Sequence, residues 1–319
     1  YHTAHNTWQA ECQQKRKKGD TYSEEIDLPL SGNRSNQFVN SLLEDTARGC
    51  IWIGMEGYLF QYNPTIGEMK AIEVFHNNSI KSLALDGDEN LLAGTDNGLY
   101  VYQNDKEPLQ HIIHDSRNIQ SLTNNIIWNI FSDQEHNIWL GTDYGISLSR
   151  YNSALQFVPI SQITGTGDGN QFYSLFRDSK GFYWFGGTNG VIRFTHPAGN
   201  KHDAIWYRMG DKNHPLSHNR IRHIYEDREQ QLWIATDGSI NRYDYNTHQF
   251  VHYNIVDSTG TYNTNWAYYL FEDTDGKLWI ATCLGGIFVV DKHKLIQSAG
   301  RSYVADQNYS IHNGLSGMF

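Results

Sequence analysis

The chain has 319 residues, 39% of them hydrophobic and 13% aromatic, so it carries enough apolar side chains for a sizeable core. Its formal net charge of −10 argues against general nucleic-acid binding, which needs a basic footprint. No apolar run reaches the roughly 18 residues of a membrane span, and Cys12, Cys50 and Cys283 form no CxxC pair.

Along the chain an acidic residue, a polar turn and a short apolar strand recur six times, and the strand ends in a small residue, usually followed by Thr. The copies run from Asp45 to Gly54 around Trp52, from Asp86 to Thr95 around Leu92, and from Asp133 to Thr142 around Trp139. They continue from Asp178 to Thr188 around Trp184, from Asp227 to Thr236 around Trp233, and from Asp273 to Thr282 around Trp279. A spacing of about 45 residues marks a repeat architecture. In the fifth copy the pattern predicts strands over Ile221–Tyr225, Leu232–Thr236, Ile240–Tyr243 and Phe250–Tyr253, separated by Asp, Asn and Gly turns. Leu99–Tyr102 and Leu155–Val158 fill third and fourth places in other copies. No window sustains helical periodicity. The fold class is therefore all-β, a β-propeller of four-stranded blades, and parallel solenoids fit less well because their repeats are shorter. Length divided by the repeat gives about seven blades. The closing blade would be shared by the chain ends, with Trp8 beside Leu315. Residues 1–319 read as one propeller domain that begins at Tyr1 without a signal-like segment, as a mature or excised piece of a longer protein does.

The repeated acids Asp45, Asp86, Asp133, Asp178, Asp227 and Asp273 fit turn-capping, since an Asp at a turn accepts nearby backbone N–H groups. Asp273-Thr-Asp275-Gly276 imitates the start of a calcium loop but lacks the later ligands. The tryptophans read as blade-packing residues. Asn78, Asn125, Asn170, Asn219 and Asn265, with Gln37 in the first copy, read as strand-entry residues that tolerate left-handed backbone. His214 and His218 lie four apart but on no predicted helix and without an acidic or Cys partner at ligand spacing, so no metal is expected. Lys15-Arg-Lys-Lys18 reads as an exposed turn, and Gly165–Gly169 precedes a strand and reads as a loop. Nucleophile elbows, phosphate loops and catalytic Cys/His signatures are absent from the sequence. No cofactor is expected.

What varies between copies is more informative. One and three residues past each recurrent Asn, near the ring mouth, lie Ile126 and Trp128, Gln171 and Tyr173, Arg220 and Arg222, and Trp266 and Tyr268. The other copies place Ser79 with Lys81 and Phe38 with Asn40. Aromatic faces stack on sugar rings and Arg forks bind carboxylates, so Trp128, Tyr173, Arg220, Arg222, Trp266 and Tyr268 form the candidate ligand site, an acidic oligosaccharide being the expected ligand. The competing reading is that several of them are packing residues between blades.

The stretches Ser121-Leu-Thr-Asn-Asn125 through Gly145, Pro215-Leu-Ser-His-Asn219 through Asp237, and Asn265 through Gly286 resemble the two-component regulator propeller repeat. The likeness covers about residues 30–317, with departures at Leu92, at Met55 in place of Thr, and in an insertion before Asp45. It implies a periplasmic sensor region of a Bacteroidetes hybrid two-component system, in which propellers precede a β-sandwich, a membrane helix and a histidine kinase. It further implies an oligosaccharide ligand released from a polysaccharide, neighbouring propeller and sandwich domains as partners, a homodimeric full-length receptor, and transcriptional control of glycan-utilisation genes. In that reading the chain itself is not an enzyme and does not touch nucleic acid. The alternative is a lyase or glycosidase propeller, which would need paired acid and base groups at the mouth. The inner-strand positions supply no Asp or Glu there. A scaffold propeller of a surface or secretion assembly is the third reading.

Overall fold

The computed structural model describes residues 7–11, 23–27, 38–72, 78–103, 110–152, 155–165, 169–195, 203–212 and 215–311. Among these, six four-stranded antiparallel sheets follow one another as propeller blades. Blade one comprises Val39–Asp45, Cys50–Met55, Leu59–Asn63 and Glu68–Ile72; blade two Ile80–Leu85, Leu91–Thr95, Gly98–Tyr102 and Gln110–Ile112. Blade three is Ile127–Ser132, Ile138–Thr142, Ile146–Ser149 and Phe157–Pro159; blade four is Phe172–Arg177, Tyr183–Gly187, Gly190–Phe194 and Ile205–Tyr207. Blade five contains Ile221–Glu226, Leu232–Thr236, Ser239–Asp244 and Gln249–Tyr253, matching the strands predicted for that copy. Blade six contains Ala267–Glu272, Lys277–Thr282, Ile287–Asp291 and Gln307–Tyr309. The short helix Lys292–Gln297 interrupts blade six before its last strand, and another, Ile160–Thr164, follows blade three. Both are too short for helical periodicity to reveal them in sequence.

The expected seventh blade is not formed among the described residues. Trp8 lies in Thr7–Glu11, which pairs with Ser23–Asp27 in a separate two-stranded sheet, and its proposed partner Leu315 lies outside the described residues. The length argument fails because it treats residues 1–37 as blade material although they contain no Asp-turn-Trp unit. Gln37, Cys12, His214 and the Lys15–Lys18 run also lie outside the described residues.

The repeated Asp performs two tasks with one carboxylate. In blade three, Asp133 Oδ1 accepts the backbone N–H groups of Glu135 and Asn137, closing the turn, while Oδ2 accepts Trp139 Nε1–H at 2.9 Å. Asp178, Asp227 and Asp273 repeat both tasks, taking Trp184, Trp233 and Trp279 at 2.7, 2.9 and 2.6 Å. Asp45 takes Trp52 at 3.0 Å. The indoles of the earlier blades are thereby fixed between their own blade and the next: Trp139 packs on Phe185 and Phe194 of blade four, and Trp184 on Tyr243 of blade five. Trp52, Trp139, Trp184 and Trp233 are fully buried, as their packing role requires. Trp279, in blade six, is half-buried and stacks on Phe271 and Tyr309.

In blades one to four the glycine near the end of the second strand admits the inner strand of the next blade. A Cβ on Gly54 would stand 2.6 Å from Ile80 Cγ2, and one on Gly94 2.7 Å from Ile127 Cγ2. Every inner strand carries a register shift near its start, a β-bulge that re-aims one side chain. In blades one, two, four and five that side chain clasps the following blade: Ser41 Oγ accepts Leu83 N–H, Ser82 Oγ accepts Ile130 N–H, Ser174 Oγ accepts Ile224 N–H, and His223 Nδ1 accepts Leu270 N–H. At the two ends of the series these faces meet no neighbouring blade among the described residues. Leu42 of blade one is 46% exposed, and Tyr269 and Phe271 of blade six are 54% and 42% exposed. On the opposite rim, Glu226 accepts Ser179 N–H of blade four and Glu272 accepts Arg228 N–H of blade five. Buried Lys292 joins Glu272 at 2.7 Å and Asp227 at 3.4 Å, and these carboxylates outweigh its desolvation and hold its pKa above the usual lysine value.

The recurrent asparagines are not left-handed as expected; none of Asn78, Asn125, Asn170, Asn219 or Asn265 has positive φ. Instead the carbonyls of the first four accept the N–H of Gly57, Gly98, Gly145 and Gly190 in the preceding blade, at 2.9, 2.7, 2.8 and 2.6 Å. They are junctions between blades, and the left-handed residues are those glycines, each with φ between 79° and 99°.

Trp233→Ala should lower stability by about 3–5 kcal/mol, the range for deleting a large aromatic from a core, and calorimetric melting checks it. A wild-type melting temperature in that variant would show that the indole does not hold blades five and six together. Burial under Tyr269, 4.1 Å away, pushes His223 down to about 4 from an ordinary 6.5. The unfolded chain therefore takes up this proton first, and the group subtracts stability as pH falls from about 6.5 to about 4. His223→Asn keeps an acceptor for Leu270 N–H without the titrating proton, so its melting temperature should depend less on pH in that window. Identical pH profiles for the two proteins would uncouple His223 from folding.

Candidate functional site

The mouth is built by the turn after each blade's second strand. Thr142 Oγ1 donates to Gly145 O and accepts Tyr144 N–H, and Thr236 does the same with Ser239 O and Gly238 N–H. This tight turn holds the following Asp beside the inner strand of its own blade: Asp143 N–H donates to Ile126 O, and Asp237 N–H donates to Arg220 O. In blade two Asp96 N–H likewise donates to Ser79 O, and Asp96 Oδ1 accepts Ser79 N–H. Acidic side chains thus reach the mouth from the second-strand turn, although the inner strands contribute none. Sequence reasoning missed Asp143 and Asp237; the recurring Thr-Asp pair at 95–96, 142–143 and 236–237 is the signal that could have found them.

The structure brings five of the six predicted residues together. Trp128 Nε1–H donates to Asp143 Oδ1 at 3.0 Å, and its ring meets Tyr173 edge-on at 5.4 Å. Gln171 Nε2 donates to the same Asp143 oxygen, and Tyr173 O–H donates to Gln171 Oε1 at 2.6 Å. The Arg222 fork engages both oxygens of Asp237, at 2.7 and 3.3 Å, and Arg220 approaches the same carboxylate at 3.9 Å. Arg222 also lies over the rings of Tyr268 and Tyr173, at 4.5 and 5.9 Å. Lys81, from blade two, lies 4.5 Å over Trp128. One chain of contacts therefore runs through Lys81, Trp128, Tyr173, Arg222 and Tyr268, one residue from each of blades two to six. Trp266 stands outside this chain of ring contacts. It has left-handed backbone, donates its N–H to Asp237 O and is 47% exposed at the rim.

Burial raises the Tyr173 hydroxyl pKa above its ordinary value, with Arg220 and Arg222 partly offsetting the shift. The carboxylates are committed, Asp143 to Trp128 and Gln171 and Asp237 to the Arg fork. The arrangement offers stacking faces, fixed acceptors and cationic donors, and it suits recognition of a hydroxylated ligand better than proton transfer.

The family model of the two-component regulator propeller matches residues 121–144, 166–189, 215–238 and 261–283, which run from the approach to each inner strand through the second-strand turn. Two crystal structures of the extracellular domain of BT4673 from B. thetaiotaomicron resemble the chain. One is 80% identical, covering 95% of this chain and 41% of that one with a TM-score of 0.50, and is described as part of a proposed one-component system. The other is 81% identical, covering 94% and 40% with a TM-score of 0.50, and is described as part of a proposed hybrid two-component system. The chain thus spans about two fifths of that domain's length. The extracellular domain of a further proposed hybrid two-component system, BT3049 from the same organism, is 21% identical over 88% of this chain and 36% of that one, with a TM-score of 0.65, and shares the fold. No curated protein sequence matches the chain. No helix among the described residues is long and apolar enough to cross a membrane.

Asp143→Ala should free the Trp128 indole N–H, and its hydrogen exchange should accelerate sharply in NMR. The indoles bonded to the turn aspartates, Trp139 and Trp184 among them, should keep their protection. Unchanged exchange at Trp128 would show that the Asp143 bond does not hold the ring in place.

Proposed function

Since this chain is built of two-component regulator propeller repeats, we propose that it is the periplasmic ligand-sensing propeller of a hybrid two-component receptor. The ligand is an oligosaccharide derived from a polysaccharide, and its binding is relayed through the receptor's other domains to a cytoplasmic histidine kinase that controls glycan-utilisation genes. Residues 1–319 form one domain of that receptor, adjoining further propeller and sandwich domains in a homodimer.

The observation that carries this reading is the contact chain from Lys81 through Trp128, Tyr173 and Arg222 to Tyr268, whose members come from five different blades. These positions vary between repeats, whereas the turn Asp recurs in all six and the Trp in all but blade two, where Leu92 stands. A sugar ring has apolar faces that stack on Trp and Tyr and hydroxyls that donate to carboxylates such as Asp143 and Asp237. Arg222 is committed to Asp237, so Arg220, whose side chain is 43% exposed, is the guanidinium available to an acidic sugar. The net charge of −10 opposes an acidic ligand at long range, so binding of one rests on short-range contacts and weakens with salt. Among the described residues, Asp143 is held by Trp128 and Asp237 by Arg222, so neither is free to pair as acid and base, which favours sensing over catalysis.

Calorimetry against neutral and uronic-acid oligosaccharides tests the site. Wild type should bind at least one of them, and the Arg220→Ala/Trp266→Ala double variant should bind it at least tenfold more weakly. Neither protein should release new reducing ends or unsaturated sugars. Equal affinities would remove the mouth as the site, absence of binding by wild type would remove sensing from this propeller, and turnover would replace the sensor with an enzyme.

A further inference from the structure

The boundary between blades two and three differs from the others. Leu92 stands where the other blades place Trp, and Ser149 stands where blades two, four and five place Tyr102, Phe194 and Tyr243. Both changes replace a large ring by a small side chain at one interface. A cleft of about 340 Å³ lies there, bounded by the Asp86 turn of blade two and the outer strands of blade three. Such a volume is within the ordinary range for small-ligand sites.

The turn carboxylate at this boundary has also lost its usual donors. Asp133 Oδ2 receives Asn137 Nδ2–H, Trp139 Nε1–H and the hydroxyl of Tyr183 from the next blade. Asp178 Oδ2 receives Trp184 Nε1–H and the hydroxyl of Tyr245. Asp86 keeps its turn, accepting Asp88 and Asn90 N–H on Oδ1, but among the described residues Oδ2 receives only Asn90 Nδ2–H. Tyr151, which occupies the place of Tyr245, turns its hydroxyl to Asp88 instead, at 3.2 Å. Its ring is 42% exposed and leans over Gly87, where an added Cβ would fall 2.8 Å from both Tyr151 and His136.

The geometry points to a second ligand site in this cleft, separate from the mouth, for an uncharged and hydroxyl-rich molecule the size of a single sugar ring. Val101, Ile138 and Leu155 give it an apolar floor, and Tyr151 gives it an aromatic face. Asp86 and Asp88 accept from hydroxyls, and Arg150 and His136 line the same cleft, so acidic and basic groups face each other there and the lining favours a ligand without net charge. The side-chain amides of Gln103, Gln110 and Asn152 both donate and accept, a pairing that hydroxyls use fully and a simple cation uses only by half. Leu92 is buried behind this lining, and an indole in its place, bonded to Asp86 as Trp139 is to Asp133, would reach toward the cleft and supply the donor that Asp86 lacks.

Saturation-transfer NMR and titration with the methyl glycosides of glucose, galactose, mannose and xylose test the site, with galacturonate and putrescine as charged probes. Wild type should bind at least one methyl glycoside, with a Kd on the order of millimolar for so small a ligand, and neither charged probe at this cleft. Leu92→Trp should bind it at least tenfold more weakly while melting no lower than wild type. Tyr151→Ala, an outer-surface change, should weaken binding similarly and guards against misfolding of the first variant. Arg220→Ala/Trp266→Ala should leave it unchanged, which separates this site from the mouth. Failure of every methyl glycoside to bind, equal binding by wild type and Leu92→Trp, or preference for a charged probe at this cleft would overturn the proposal.

Discussion

A buried carboxylate has two oxygens, and in this protein they are assigned to different levels of structure. One closes a four-residue turn within a blade, and the other fixes an indole that packs against the next blade. Turn closure by an Asp accepting backbone N–H is local and needs no neighbour. Burying an indole needs both a neighbour and a partner for its N–H. Joining the two on one side chain ties the conformation of each turn to the docking of the following blade, so local and long-range requirements agree, as they must in a chain that folds to one structure.

The same neighbour-to-neighbour logic creates the mouth. The backbone bond from Asp143 to Ile126, or from Asp237 to Arg220, secures the turn to the inner strand, and side chains of successive blades then meet around the axis. No single blade could present Trp128, Tyr173, Arg222 and Tyr268 together. Their proximity follows from blade docking, and a perturbation at one blade boundary changes the spacing of groups that a ligand would touch. That is a physical route from binding to a change in the assembly, without any hinge inside a blade.

Much of this was legible in the sequence, and for a definite reason. Asp at a turn, Trp at the centre of a strand and Gly or Ala after it are requirements that recur at fixed spacing, so the blades and the packing role of Trp233 could be read from repetition alone. Blade number could not, because length counts residues 1–37, which carry no repeat. The mouth was half legible: the variable positions identified Arg222 and Tyr268, but not that Arg222 would be held by Asp237, since that contact joins an inner strand to a turn fifteen residues on. The role of the asparagines was also hidden, because the group that acts is the backbone carbonyl, which no side-chain pattern records. Leu92 was visible as a departure, but its consequence needed Ser149 beside it in space.

Leu42 at one end of the series and Tyr269 with Phe271 at the other have a thermodynamic meaning. In a linear array whose units are held by their neighbours, stability is close to a sum of unit and interface terms, and a terminal unit has one interface where an internal unit has two. Among the described residues, blades one and six each show one blade interface and blades two to five show two, so support from neighbouring blades is least at the two ends of the described series.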